Sequence, residues 1–206
     1  MNTKSRVVLI VLAAGQGSRF GSAGHKLGQP LGHSTVLGTT LRHALASQMP
    51  LVVVATPATA SLAQHSVAAR DVVVLPEVGG SDDRRLGMGY SIANGVAARP
   101  QASGWLVLPG DMPLVQPATL QAVAAQLEQH AVAYAQHLGR RGHPVGFAAE
   151  LYSELVGLPG DEGARRLVAR YPAQGVAGDD PGVLLDVDTE LDLQQVRQSH
   201  AALPQR

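Results

Sequence analysis

Lys26 and Asp111 are the residues of this 206-residue chain around which polyphosphate chemistry can be built. Lys26 closes a glycine-rich loop, AAGQGSRFGSAGHK, that follows six apolar residues from Val7 to Leu12. Ala13, Ala14, Gly15 and Gly17 let the backbone approach a ligand closely, and amides there can meet phosphate oxygens. Polyphosphate also needs fixed cations, and Arg19 and Lys26 are the ones the loop offers. The wider charge pattern agrees, because residues 1–70 contain no Asp or Glu but carry Lys4, Arg6, Arg19, Lys26, Arg42 and Arg70. The chain has fourteen arginines and two lysines, and one of the lysines is in this loop. A compact ammonium makes a point contact to one phosphate oxygen, whereas a guanidinium favours a planar fork. A solvated lysine in an arginine-biased composition is the alternative reading of that residue alone.

Asp111 ends a second apolar run, 105–108, within Pro109-Gly110-Asp111-Met112-Pro113. Its carboxylate should leave the same sheet edge as the Lys26 loop, so a divalent cation on Asp111, naturally Mg2+, could bridge the phosphates held by residues 13–26. An Asx turn, or a cap for a helix starting near Pro117, is the plain alternative. Asp186 and Asp188 in LLDVDTELDL alternate at the end of the last expected strand, which puts both on one face. One of them could complete the metal site, or Asp188 or Thr189 could cap the following helix. Gly87 to Ser91 open another helix whose amides, with the Ser91 hydroxyl, could receive part of a nucleotide; a serine in a first helical turn also needs no ligand. Arg140, Arg141, Gly142, His143 and Pro144 form a cationic segment before an apolar strand, and Asp161 in GDEGARRL reads first as a helix cap.

Two common nucleotide loops are excluded by spacing. A P-loop needs GxxxxGK followed by Ser or Thr, but Lys26 lies between His25 and Leu27. The dinucleotide fingerprint fails at its third glycine, where Phe20 stands, and the ribose-binding acid about twenty residues on is missing. An NAD-linked reductase is therefore disfavoured.

LAAGQGSRFG with Lys26 resembles the signature loop of the MobA-like nucleotidyltransferases, usually LAAGxSxRMGxxK. Three further segments fall in the family's order: GMGYSIANG at 87–95, LPGDMP at 108–113, and GHPVGF with GDEGARRLV at 142–147 and 160–168. Within the family, LAAG, GDMP, GHP and GDEGAR are most similar to the molybdenum cofactor cytidylyltransferases, which join CTP to a molybdopterin-type cofactor. Two features differ. Arg19 and Lys26 are seven positions apart where about five is usual, which should bulge the inserted pair outward, and LPEVGGSDDRRL at 75–86 replaces an Asn-Pro-like segment. The loop reading and the resemblance together imply catalytic roles for Arg19, Lys26 and Asp111. They imply nucleotide contacts from Leu12, Ala13, Ala14, Gly15, Gly17, Ser18, Arg19, Lys26, Ser91 and Gly110. His143 and Asp161 would face the acceptor, and Asp111 and Asp188 would hold the metal; relatives carry a DxDTPEDL segment that favours Asp188 over Asp186.

The elements that must position these residues alternate. Strands are expected at 7–12, 51–55, 72–75, 105–108, 131–135 and 183–187, and helices at 35–47, 58–69, 88–98, 117–129, 161–170 and 189–200. The loops at 76–86 and 175–182 read as mobile. This βαβ series, with 45% apolar residues, predicts one domain over 1–206. It should be a three-layer α/β/α structure with a mostly parallel sheet, and the resemblance makes it the nucleotide-diphospho-sugar transferase (Rossmann-like) type. A net charge of zero gives no long-range pull toward nucleic acid or anionic membrane, and the absence of cysteine excludes disulfides and thiolate metal sites. The polar start and short apolar run argue against a signal peptide or membrane span, so a cytoplasmic location is expected.

The expected reaction is attack by an acceptor phosphate, already ionised, on the α-phosphorus of CTP, releasing pyrophosphate without a protein nucleophile. Lys26 would stabilise the α-phosphate, Arg19 the β and γ phosphates, and Asp111 the Mg2+. The partners would be CTP, a phosphorylated acceptor such as molybdopterin cofactor, and a recipient molybdoenzyme as a further candidate. Alternatives are another NTP, a sugar or alditol phosphate acceptor, or a protein that binds and delivers nucleotide or cofactor without chemistry.

Overall fold

Strand β1 (Val7–Ala13) is buried on both faces, and its alternation divides the molecule into two cores. The structure is a computed structural model that describes residues 6–15, 17, 20, 24–76, 87–158, 160 and 163–202. Leu9, Val11 and Ala13 point into one core, which is completed by α1 (Val36–Ala46), α2 (Pro57–Gln64), α4 (Pro117–Gln126) and α7 (Glu190–Ala202). Val8 and Ile10 point into the other, with α3 (Met88–Ala97), α5 (Tyr152–Val156) and α6 (Arg165–Arg170). The result is the three-layer α/β/α sandwich expected from the chain. Among the described residues no helix is long and apolar enough to cross a membrane.

The remaining strands are the small β2 (Pro30–Leu31) and β3 (Ser34–Thr35) pair, then β4 (Leu51–Ala55), β5 (Val72–Val74), β6 (Gly104–Pro109), β7 (Val132–His137), β8 (Arg140–Ala148) and β9 (Ala173–Ala177). The main sheet has seven strands in the order β5-β4-β1-β6-β8-β7-β9. β1 pairs in parallel with β4 and β6, β4 with β5, and β7 with β9, whereas β8 runs antiparallel between β6 and β7. β1 and β6 are therefore adjacent and parallel, so the glycine-rich loop and the Asp111 segment leave the sheet at one edge.

Local chemistry fixes the helix starts near that edge. Thr35 caps α1 by accepting from the Gly38 amide at 3.0 Å. Pro57 opens α2, and the Thr59 hydroxyl donates to the Ala13 carbonyl at 2.8 Å, tying that helix to the last residue of β1. The buried Asp180 carboxylate accepts from the Gln116 amide at 2.9 Å and the Thr119 hydroxyl at 2.6 Å, capping α4 from a distant part of the chain.

Three expectations are corrected. Residues 183–187 are not a strand: Asp180 accepts from the Gly182 amide at 3.0 Å, Pro181–Leu184 form a helical turn, and 185–188 continue without a ladder. Val183 and Val187 of this stretch are instead buried where it crosses the sheet. Gly142 of β8 makes the crossing possible, because a Cβ there would overlap the Val183 carbonyl. The stretch 175–182, read as a mobile loop, contains the end of β9 and the start of that turn. The helix expected over 58–69 ends at Gln64, followed by a separate turn at Ala69–Asp71. Sequence reasoning also missed β9 and α5, and it placed Arg140 to Pro144 before a strand, whereas pairing of Arg140 and Arg141 with His137 and Gln136 puts them inside β8.

Candidate active site

The loop after β1 folds back on its own lysine. Gly17 has φ +64°, and a Cβ there would lie 3.3 Å from Cγ of Lys26, so the chain passes directly over the lysine stem. His25 fixes the return. Its Nδ1 accepts from the Leu27 amide at 3.2 Å, which makes it the cap of the helical turn Lys26–Gly28. With Nδ1 accepting, the ring proton sits on Nε2, which donates to the Gly15 carbonyl at 2.9 Å. The imidazole thus clamps the two ends of the loop together. The expected outward bulge of the inserted pair can be followed here only at Gly24 and His25, where the chain turns inward at His25; 21–23 lie outside the described residues.

Lys26 is 8% exposed. Its Nζ donates to Asp111 Oδ2 at 2.5 Å and to Asp188 Oδ1 at 2.6 Å. Burial pushes the ammonium pKa down, but the charge and hydrogen bond of Asp111, followed by those of Asp188, outweigh it and hold the value above 10.5. The second Asp111 oxygen, Oδ1, is buried and has no hydrogen-bond partner among the described residues. Asp111 is placed by its backbone: the Gly110 amide donates to the Leu12 carbonyl at 2.8 Å, the Thr40 hydroxyl to the Gly110 carbonyl at 2.8 Å, and the Val187 amide to the Asp111 carbonyl at 3.0 Å. That last bond delivers Asp186 and Asp188 to the site. The crossing segment, not a strand end, brings the second carboxylate to Lys26.

Asp186 is exposed and belongs to the same electrostatic cluster. Partial desolvation of its carboxyl, then the negative charges of Asp111 and Asp188, raise its pKa above 3.8, and Lys26 offsets part of this. A carboxyl with a raised folded pKa weakens the fold as pH climbs from 3.8 through the folded value, and the penalty is fully present at neutral pH. Asp186→Asn should therefore raise the urea midpoint slightly at pH 7 and leave it unchanged below pH 3.8, as urea denaturation at the two pH values would show.

His143, half-buried on β8, is held below the ordinary imidazole range by burial, with the Asp186 carboxylate pulling the other way. It therefore belongs to the side of the site that carries Asp186. Arg141 stacks on the Tyr134 ring at 4.2 Å, a cation–π contact that engages one charge of the basic segment within the sheet. Ser91 is buried, with its hydroxyl turned toward the Gly87 carbonyl at 3.5 Å, and the Gly89 amide donates to the Gly160 carbonyl at 2.9 Å. One α3 amide expected to be free for a ligand is thus engaged. No described contact joins Ser91 to the Lys26 cluster. Ser18, Arg19 and Asp161 lie outside the described residues, as does most of the 76–86 loop.

The glycine-rich loop of a central parallel strand thus meets a buried lysine and two carboxylates at one sheet edge, within a fold of the nucleotide-diphospho-sugar transferase (Rossmann-like) type. The MobA-like NTP transferase domain model matches residues 9–175, and the chain belongs to that family. It is 29% identical over 205 residues to the purine catabolism protein PucB of Bacillus subtilis, covering 92% of this chain and 95% of PucB. It is 36% identical over 123 residues to the bifunctional protein GlmU of Alkalilimnicola ehrlichii, covering 58% of this chain but 25% of GlmU; the chain spans about a quarter of such relatives. Among solved structures, Rv0371c of Mycobacterium tuberculosis H37Rv superposes with a TM-score of 0.79 at 29% identity, covering 95% of this chain and 99% of that one. A complex of Rv0371c with manganese gives 0.76 at the same 29% identity, covering 95% and 100%.

Proposed function

We propose that this protein transfers CMP from CTP to the phosphate of a molybdopterin-type cofactor and releases pyrophosphate. The observation that carries the reading is the contact of Lys26 Nζ with Asp111 and Asp188 at the sheet edge where the glycine-rich loop ends. The motifs GDMP, GHP and GDEGAR, similar to those of the cytidylyltransferases, support the base and acceptor.

The residues present fit a divalent metal. Asp111 and Asp188 supply hard carboxylate oxygens, and the unpartnered Oδ1 of Asp111 is the kind of atom a cation satisfies. Among the described residues no group of three or more His, Asp and Glu gathers to hold a metal, which suits Mg2+, an ion that takes one or two carboxylates and completes its shell with phosphate and water. When bound, Mg2+ would neutralise charge on the triphosphate.

The chain's own residues do the rest. Leu12, Ala13, Ala14, Gly15 and Gly17 with Ser18 bring the backbone to the phosphates, Lys26 turns its ammonium to the α-phosphate as negative charge grows there, and Arg19 holds the β and γ phosphates. Gly110 and Ser91 complete the nucleotide contacts. His143 and Asp161 face the acceptor, whose terminal phosphate attacks the α-phosphorus in line. The acceptor is already an anion at neutral pH, so no general base is required and the rate comes from positioning and electrostatics. The test is a pyrophosphate-release screen of the four NTPs with Mg2+, each with molybdopterin cofactor and with a panel of sugar phosphates. Release with CTP and molybdopterin is expected; release only with sugar phosphates, or none with tight CTP binding, would replace the reading.

A further inference from the structure

Asp111 and Asp188 present their carboxylates so close together that a single ammonium touches both. These are also the groups proposed for the metal, and the two uses conflict. A divalent ion on Asp111 and Asp188 would sit within a few ångströms of the Lys26 ammonium, in a site where the Lys26 side chain is 10% and the Asp111 side chain 15% exposed and like charges repel strongly. Lys26 cannot simply swing into solvent either, since its stem lies under Gly17 and its turn is clamped by His25. The relief available to it is another anion within reach, which the loop above it is built to hold.

We infer that Lys26 is a built-in competitor for the divalent cation: its ammonium occupies the carboxylate pair until a nucleotide triphosphate draws it away, so that metal and nucleotide bind as a unit. This deepens, and rests on, the proposed nucleotidyl transfer. Metal binding without nucleotide is opposed by the lysine, and the triphosphate supplies the negative charge that releases the pair. By linkage the coupling is reciprocal, and the metal strengthens nucleotide binding by the same factor. The loop, the lysine and the two carboxylates then act as one interlocked device that discourages either ligand from lingering alone.

Mn2+ titration followed by electron paramagnetic resonance, with no nucleotide present, tests this on the full chain. Lys26→Met and Lys26→Gln should bind Mn2+ at least about tenfold more tightly than the unsubstituted protein. Addition of CTP should tighten Mn2+ binding in the unsubstituted protein far more than in either variant. Variants that bind Mn2+ no more tightly than the parent would overturn the inference. Should both variants fail to fold, thermal melts of the parent decide: Mn2+ alone is expected to leave Tm nearly unchanged while Mn2+ with CTP raises it, and an equal rise with Mn2+ alone would overturn it. The two readings fail separately, because finding no competition in the Mn2+ titrations would leave pyrophosphate release by the unsubstituted protein as expected, whereas an absence of pyrophosphate with every acceptor leaves the Mn2+ comparison standing.

Discussion

Asp111→Asn is expected to lower the turnover of nucleotidyl transfer by roughly 10³-fold while the protein keeps its secondary structure. The substitution keeps the shape of the side chain, and the backbone that places it is held by bonds through Gly110 and Val187 that do not involve the carboxylate. It removes the anionic oxygen at 2.5 Å from Lys26 Nζ and replaces the buried Oδ1 acceptor with an amide group that cannot ligate a hard cation well. A steady-state assay of pyrophosphate release at saturating CTP and Mg2+, paired with circular dichroism, checks both halves. A variant with near-parental turnover would remove Asp111 from the machinery.

The second large effect is expected from Lys26→Met, which keeps the apolar stem under Gly17 and deletes the charge. Turnover should fall by roughly 10²–10³-fold because the substitution deletes the ammonium that touches both carboxylates. Stability should fall as well, by about 1–3 kcal/mol at neutral pH, since the ammonium that lies between the carboxylates of Asp111 and Asp188 would be gone. The lower part of the usual range for a broken buried pair applies because the Asp188 side chain is 33% exposed and partly screened by water. The sign of the pH dependence follows from the raised lysine pKa. The contribution of Lys26 is fully present below 10.5 and is lost as pH rises through the higher folded value, so the stability gap between parent and variant should persist from neutral to mildly alkaline pH and close only above 10.5. Denaturant melts at pH 7, 9 and 11 would show whether it does.

The two ends of the site were legible for different reasons. β1 announces itself as an apolar run broken by small residues, and a strand of that kind at the centre of a parallel sheet delivers its loop to the ligand edge. Asp111 could be found because proline and glycine stop β6 just before it. The ion cluster itself was not legible, because it joins residues 85 and 162 positions apart through a segment whose pattern misleads. Leu185, Asp186, Val187 and Asp188 alternate apolar and polar as they would at the end of a strand, yet Pro181 and the Asp180 cap begin a helical turn and Gly142 leaves room for the chain to cross. Alternation reports which side is buried, not whether a ladder partner exists. β9 was missed for the converse reason: Ala-Gln-Gly-Val-Ala on a sheet edge is half exposed and carries little strand character, and its pairing with β7 is a tertiary decision. The role of His25 is similarly hidden. A histidine beside the loop lysine is an unremarkable neighbour in one dimension, and only folding the loop back brings its ring to the Gly15 carbonyl.

The central claim is that Lys26, Asp111 and Asp188 serve one metal-bound triphosphate. Diffraction from crystals grown with CTP and Mn2+ tests it most directly. The account predicts an anomalous manganese peak within ligand distance of Asp111 Oδ1 and Asp188, with Lys26 Nζ moved onto a phosphate oxygen. Nucleotide bound away from the glycine-rich loop, or a triphosphate in place with Lys26 still bridging the two aspartates and manganese elsewhere, would contradict it.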